Sequence, residues 1–360
     1  MRRKRYNDTE RFDYAISYLA LHDIMLECAK GVRWKNSVSA FVHDSIQQLT
    51  SLRRLINRGH YRMMDPINFT IYEPKERHIQ SIHFKDRVFQ KSLCTNVVTP
   101  IIAPSFIYDN GASTKGKGYS FSLDRLSHHL HSYYINHGTG GYVLKCDISK
   151  YFDSIDHSIL YDILCTYFFD DRVLFYLKDS IHKYGINDVG IGLGSEINQL
   201  MALLYLNGMD HFIKEQLGIK YYGRYMDDFY LIHRDKEYLK YCKNKIEDYV
   251  LTNRHLTLSE KKTQIFPITN GFTFIGFRHV LTDSGKVVLK LRQQSIQKMK
   301  KKLKSFHGLY LMNRIGLLDI HESYQSWRAH AMIGNSYKIV SMMDNLFYKL
   351  FEIPFDEVIA

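Results

Sequence analysis

Apolar side chains recur at helical spacing in the first sixty residues. Phe12, Ile16 and Leu19 form one run; Val42, Ile46, Leu49, Leu52 and Ile56 form another. Both predict amphipathic helices over about 10–60. Arg53, Arg54, Arg58 and Arg62 charge the end of that region. Between Pro66 and Pro74 the run 68–72 reads as a strand, and 85–98 reads as a helix that Pro100 and Pro104 end. Asp109-Asn110-Gly111 is a turn, and Lys115 to Gly118 is a flexible basic loop. A helix over 123–134 and a turn over 138–141 precede a buried strand, 143–147. After a helix at about 157–168, four glycines (Gly185, Gly190, Gly192, Gly194) mark a loop. Residues 196–217 read as one long helix, and 221–233 as strand, turn and strand. A helix near 236–252 and strands over 263–268 and 272–278 follow. From Arg292 the chain turns basic and helical, with Lys298, Lys300, Lys301, Lys302 and Lys304. Internal repeats and low-complexity tracts are absent from the sequence. This order of elements predicts an α+β layer, a sheet with helices on one face.

The turn inside 221–233 carries the most chemistry. It reads Tyr225-Met226-Asp227-Asp228 and runs into Phe229, Tyr230, Leu231 and Ile232. Two adjacent carboxylates beside an apolar strand are costly to bury unless a charge neutralises them. A divalent cation does so, and hard cations take carboxylate oxygens. The strand Val143-Leu144-Lys145-Cys146-Asp147, about eighty residues earlier, ends in a third acid. Three carboxylates meeting at strand ends suit a two-metal phosphoryl-transfer site.

Charge adds a partner. Lys and Arg number 49 against 37 Asp and Glu, a formal charge of +12 over 360 residues. Such an excess favours a polyanion, through phosphate contacts and counterion release. The chain is long enough for two or three subdomains around a sizeable core. The 27 Tyr and 21 Phe suit base stacking and an ordinary core alike. Five cysteines without close pairing resemble neither a zinc ribbon nor a disulfide framework, which points to a reducing cytoplasm. Membrane-spanning apolar runs are absent, and the basic start Met1 to Arg5 has no apolar segment after it. That start is open to two readings, a phosphate-contacting arm and a solvated tail. His128, His129 and His131 cluster, but with no evident fourth ligand they read better as a helix face than as a metal site.

The segment from Lys145 through Asp147, Tyr151, Phe152, Asp153 and Asp156 to His157 resembles the first catalytic motif of bacterial reverse transcriptases. Asp227 and Asp228 resemble the second. The resemblance covers about residues 65–350 and implies a right-hand polymerase with fingers, a ferredoxin-like palm and a helical thumb. The implied bounds are an N-terminal helical extension at 1–64, fingers at 65–142, a palm at 143–291 with a fingers-like insertion at about 170–200, and a basic thumb at 292–360. Its first Asp implies Asp147 as metal ligand, with the Ile148 backbone carbonyl beside it. Asp227 would bind both metals, and Asp228 would be the weaker ligand. The cofactor implied is two Mg2+ ions, for which Mn2+ can substitute. The chemistry implied is attack of a primer 3′-hydroxyl on the α-phosphate of a dNTP.

The same resemblance assigns further residues. Phe152 becomes the gate that excludes a 2′-hydroxyl, with Tyr151 packed beneath it; a core aromatic is the plain alternative for each. Asp153 and Asp156 cap or orient the next helix. Lys75 and Arg77 lie in a segment similar to the triphosphate grip, with Arg87 supporting it. Lys115 and Lys117 are candidates for template or dNTP phosphates. Lys262 resembles the general acid toward pyrophosphate, with Lys261 its competitor. Phe272 to Phe277, with Phe274 and Gly276, resembles the primer grip, and Tyr225 and Met226 lie on the same primer–template side. Ser323 to His330 resembles the thumb helix.

Leu193-Gly194 and Gln199 resemble enzymes of diversity-generating retroelements, in which that glutamine is linked to errors at template adenines; Asn198 departs from the Ser expected there. The departure and the amino-terminal helices resemble antiphage defence enzymes instead. Either way the expected partners are a structured noncoding RNA template, a DNA or RNA primer and dNTPs. An accessory protein or a second copy of the chain is a further candidate, and a membrane is not. The expected setting is the cytoplasm of a bacterium, with a bacterial or phage gene. Two alternatives stand beside RNA-templated synthesis: protein-primed or template-independent synthesis in phage defence, and a non-catalytic RNA-binding relative. The last predicts loss of Asp147, Asp227 or Asp228, and all three are present.

Overall fold

A computed structural model of the chain describes residues 7–72, 76–183, 185 and 187–357. Lys75 and the basic start Met1 to Arg5 lie outside them. In chain order the elements are α1 (Asp8–Ala15), α2 (Tyr18–Ala29), α3 (Asn36–His43), α4 (Ser45–Asn57), β1 (Ile67–Ile71), β2 (Arg77–Ser81), α5 (Phe84–Leu93), α6 (Thr99–Ile102), α7 (Tyr119–His137) and β3 (Tyr142–Asp147). Next come α8 (His157–Tyr167), α9 (Asp171–His182), α10 (Glu196–Tyr205), α11 (Asn207–His211), β4 (Tyr221–Tyr225), β5 (Asp228–His233), α12 (Lys236–Arg254) and β6 (Gln264–Pro267). Strands β7 (Phe272–Phe274), β8 (Phe277–Leu281) and β9 (Val287–Leu291) lead to α13 (Gln293–Leu311), α14 (Leu317–Met332) and α15 (Tyr337–Phe351). Among the described residues no helix is long and apolar enough to cross a membrane.

The chain forms two compact units. The first holds Met1–Gly116, Cys146–Gly218 and Tyr241–Thr263; the second holds Lys117–Lys145, Ile219–Lys240 and Gln264–Ala360.

The first unit is mostly helical. Phe12, Phe89 and Tyr176 are almost fully buried in its core, and Phe89 meets Tyr176 edge-on at 4.8 Å between ring centres. Two buried acids tie loops to this core. Asp8 accepts from the backbone N–H groups of Phe169 and Asp170 at 2.5 and 2.8 Å. Asp86 accepts from the Tyr61 hydroxyl and, at 3.0 Å, from the Met64 N–H. Burial pushes the Asp86 carboxyl above its usual range against those hydrogen bonds.

The second unit contains a four-stranded sheet ordered β4–β5–β3–β6, and a three-stranded antiparallel sheet, β7–β8–β9. Strand β3 runs antiparallel to β6 with Tyr142 opposite Pro267 and Lys145 opposite Gln264. Leu126, Leu130 and Tyr133 of α7 pack on Val143, Tyr230, Ile232, Phe272 and Phe274. Helices α13, α14 and α15 close around Ile296, Leu303, Tyr324, Met343 and Phe347.

Three expectations need correction. Pro100 does not end its helix. The chain takes one π turn over Cys94–Val98 and then resumes, with Pro100 in the first turn of α6. At that position a missing N–H costs no helix bond. The long helix over 196–217 is broken at Leu206 into α10, α11 and a π turn, Phe212–Gln216. The strand over 272–278 is a hairpin: Phe274 pairs with Phe277, and Ile275 and Gly276 between them take φ of 35° and 96°, the positive values a two-residue turn demands. A further helix, α9, falls inside the span expected as a fingers-like insertion. Its buried positions Val173, Tyr176, Leu177, Ser180 and Ile181 carry a clear helical period.

Candidate active site

The β4–β5 hairpin puts Tyr225 opposite Asp228, leaving Met226 and Asp227 as a two-residue turn. Met226 adopts φ 56°, a left-handed conformation that a side chain with a Cβ pays for with strain. The turn is held from beneath. Arg224 is almost fully buried and its guanidinium donates to the Met226 carbonyl at 3.0 Å. The half-buried carboxylate of Asp228 lies 3.3 Å from the ammonium of Lys145. Tyr225, Met226, Asp227 and Asp228 are thus one small, supported element of the second unit.

Asp147 and Lys262 belong to the first unit. The Asp147 side chain is 11% exposed, and Lys262 Nζ lies 2.6 and 2.8 Å from its two oxygens. The backbone around it is pinned: the Ser259 N–H donates to the Asp147 carbonyl at 2.7 Å and the Ser149 N–H to the Thr257 carbonyl at 2.9 Å. These two bonds flank the bridge between Ile148 and Leu258. They leave the Ile148 carbonyl outside the bridge, as a backbone ligand requires. Carboxylate oxygens and backbone carbonyls are ligand types that Mg2+ takes.

Beyond Asp147 the chain turns through Lys150, at φ 44°, into a short 3-10 segment, Tyr151–Ser154. Tyr151 is buried and its hydroxyl donates to the Ala202 carbonyl. Phe152 is half-buried and meets Tyr151 edge-on at 5.6 Å between ring centres. Asp156 caps α8, accepting from the N–H groups of Ser158 and Ile159 at 2.9 and 3.2 Å. Burial opposes its charge, yet these bonds and those from the Ser158 hydroxyl and His255 bring the carboxyl down to about 2.

Arg77 is exposed on β2 and lines a cleft of about 880 Å3 with Phe69, Asp153 and the loop Gly190 to Leu193. Gln199 is half-buried on α10 and accepts from the Ser113 hydroxyl at 2.9 Å. It shares a second cleft with Arg87 and Gly194. Its neighbour Asn198 is fully buried, and the side-chain amide donates to the Gly192 carbonyl at 3.0 Å. An asparagine at that position therefore has a job of its own, bracing the glycine-rich loop. Lys115 is exposed on its loop, and Lys117 lies over the Phe121 ring at 5.1 Å.

In the β7–β8 hairpin Phe274 is buried against Tyr230. A Cβ added to Gly276 would stand 2.8 Å from the Tyr119 hydroxyl, so the backbone does approach closely there. His129 is buried with its Nδ1 2.9 Å from the Tyr230 hydroxyl, and His131 Nδ1 lies 3.1 Å from the Gly285 carbonyl. That cluster is a helix face with structural partners.

Two supporting residues escaped the sequence reading: Lys145, partner of Asp228, and Arg224, the prop of the turn. A buried arginine inside a strand was the available signal for the second. Period-2 alternation, which puts Lys145 on the face of Asp147, was the signal for the first.

Residues 73–279 match the family described as reverse transcriptase (RNA-dependent DNA polymerase). That is more than half of the chain, and the chain belongs to this family. It is also 24% identical over 281 residues to Protein YkfC of Escherichia coli strain K12, covering 64% of this chain and 71% of that protein. The fold is similar to that of telomerase from Candida albicans, solved with a fragment of telomeric RNA, at a TM-score of 0.50 and 13% identity. That likeness covers 86% of this chain, which spans 59% of the telomerase chain. The fold is the right-hand polymerase fold, and the domain is that of an RNA-directed DNA polymerase, a nucleotidyltransferase.

Proposed function

We propose that this chain is an active reverse transcriptase that makes cDNA from a structured noncoding RNA, within a diversity-generating retroelement or an antiphage defence system. The observation that carries the reading is the presence of Asp147, Asp227 and Asp228 together in a member of this family, two of them on a hairpin turn held strained by a buried arginine. We assign 65–142 to fingers, 143–291 to palm and 292–360 to thumb.

Asp147, Asp227, Asp228 and the Ile148 carbonyl would hold two Mg2+ ions. Bound there, the ions supply a lowered pKa for a primer 3′-hydroxyl and positive charge for the triphosphate. Arg77 and Lys75 grip that triphosphate from the fingers, and Phe152, backed by Tyr151, closes the pocket against a 2′-hydroxyl. Lys262, released from Asp147, holds the proton for the leaving pyrophosphate. Tyr225, Met226, Phe274 and Gly276 position the primer end, while Lys115 and Lys117 meet template phosphates. Gln199 lies beside the nascent pair.

The test is to sequence the DNA and RNA that co-purify with the chain expressed from its native locus, wild type against Asp227→Asn. Heterogeneous cDNA altered at adenines and copied from a repeat supports the retroelement. Repetitive or phage-induced DNA supports defence, and DNA with no RNA template supports protein-primed or untemplated synthesis. DNA that does not depend on Asp227 contradicts the reading.

A further inference from the structure

Three side chains of the first unit converge where the glycine-rich loop folds back on α8 and α9. His157, the first residue of α8, is 5% exposed. Its Nε2 lies 2.7 Å from the Gly190 carbonyl oxygen. A carbonyl only accepts, so Nε2 carries a proton, and in the neutral ring Nδ1 presents a lone pair. That Nδ1 is buried with no hydrogen-bond partner. A buried polar atom is costly to leave unsatisfied. It points toward Asp188, whose Oδ1 is 3.9 Å away, beyond hydrogen-bond reach. His182, at the end of α9, places its own Nδ1 3.2 Å from the same carboxylate oxygen. One donor atom from each of the three lies within 4.8 Å of the others.

The loop is shaped to hold this arrangement. Asn187 and Asp188 take φ of 53° and 60°. The His157 N–H donates to the Asp188 carbonyl at 3.0 Å, and the Gly190 N–H to the Ile155 carbonyl at 2.8 Å. A Cβ on Gly185 would stand 2.4 Å from His157 Cε1, so only glycine lets that backbone pass the ring.

We propose that His157 Nδ1, His182 Nδ1 and Asp188 bind a transition-metal cation, Zn2+ fitting best, separate from the polymerase metals. Two imidazole nitrogens and one carboxylate are a borderline donor set that prefers Zn2+ to Mg2+. A tetrahedral Zn2+ with bonds of about 2.0–2.2 Å separates its ligand atoms by about 3.3–3.5 Å. The 3.2 and 3.9 Å separations bracket that edge. The hydrogen bond from Nε2 to a backbone carbonyl is the outer-shell contact that metal-binding histidines make. An ion pair between His182 and Asp188 alone leaves the bare His157 nitrogen without a role. The clasp fixes the loop next to the nucleotide pocket: Ile191 donates to the Phe152 carbonyl at 2.8 Å, and Gly190 to Leu193 line the Arg77 cleft.

The test is calorimetric titration of ZnCl2 into the full chain, stripped with chelator and kept in excess Mg2+. It is repeated in an Asp227→Asn background to remove binding at the polymerase carboxylates. Co2+ serves as the spectroscopic probe. His182→Ala and Asp188→Asn change exposed side chains, so the fold should persist in both. We expect one equivalent of Zn2+, weakened about 10–100-fold or more in each variant, and intense visible Co2+ bands that both variants lose. No binding by the wild-type chain, or binding by both variants as tight as wild type, overturns the site.

Discussion

Both carboxylate oxygens of Asp147 are held by one ammonium, that of Lys262, at 2.6 and 2.8 Å. Lys262 is half-exposed while Asp147 is nearly buried, so the lysine can swing away and the acid cannot. A positive charge already sits where the proposed cofactor would bind, on a flexible stem within reach of the same oxygens.

If Lys262 is the proton donor to pyrophosphate, Lys262→Ala should slow single-turnover dNTP incorporation by about 10²–10⁴-fold. Lys262→Arg should not rescue it, because a guanidinium does not release its proton. Lys261→Ala should retain the wild-type rate. Rapid-quench kinetics on the three variants decides this, and an unchanged rate in Lys262→Ala removes the lysine from the chemistry.

Arg224 supports a strained turn rather than the reaction itself. Arg224→Met should destabilise the second unit by about 1–3 kcal/mol, since a half-buried carbonyl loses a charged donor. Incorporation should fall further than the lost stability explains, because Met226 can then relax from φ 56°. Urea denaturation and incorporation below the transition separate the two effects. Full activity in a folded variant would show that the turn needs no prop.

Phe152→Ala should admit ribonucleotides. The readout is the ratio of kcat/KM for dNTP and rNTP, and a ratio equal to wild type leaves Phe152 a core aromatic. Gln199→Ala removes the acceptor of the Ser113 hydroxyl. It should lower errors opposite template adenine, and an unaltered error spectrum assigns Gln199 to helix structure alone.

Burial pushes His279 on β8 down to about 4, against about 6.5 in an unfolded chain. Between those values the unfolded chain binds the extra proton, so stability falls as pH drops from about 6.5 to about 4 and is unaffected above that window. In a Trp34→Phe chain, Trp327 fluorescence reports the second unit alone. Its urea midpoint should fall less steeply with acid in His279→Leu than in the parent, and equal slopes would exclude His279 as the source.

Elements whose signal is local were legible from the residues alone. The β4–β5 hairpin showed itself because apolar strands flank its turn, and α13 because lysines line one face of a periodic helix. The breaks were not legible. Apolar residues on both sides of the break at Leu206 mask its one local mark, the Asn207-Gly208 pair, and the π turn that lets Pro100 stay helical depends on packing. The roles of Lys145 and Lys262 rest on partners far away in sequence. His157 and His182 are twenty-five positions apart with no shared motif, and only the packing of α8 against α9 brings them together.

The central claim is tested most directly by extension of a DNA primer annealed to an RNA template, with the purified chain, Mg2+ and dNTPs. Wild-type protein should add nucleotides dictated by the template, and folded Asp147→Asn and Asp227→Asn variants should add none. Incorporation that survives either substitution would contradict the account.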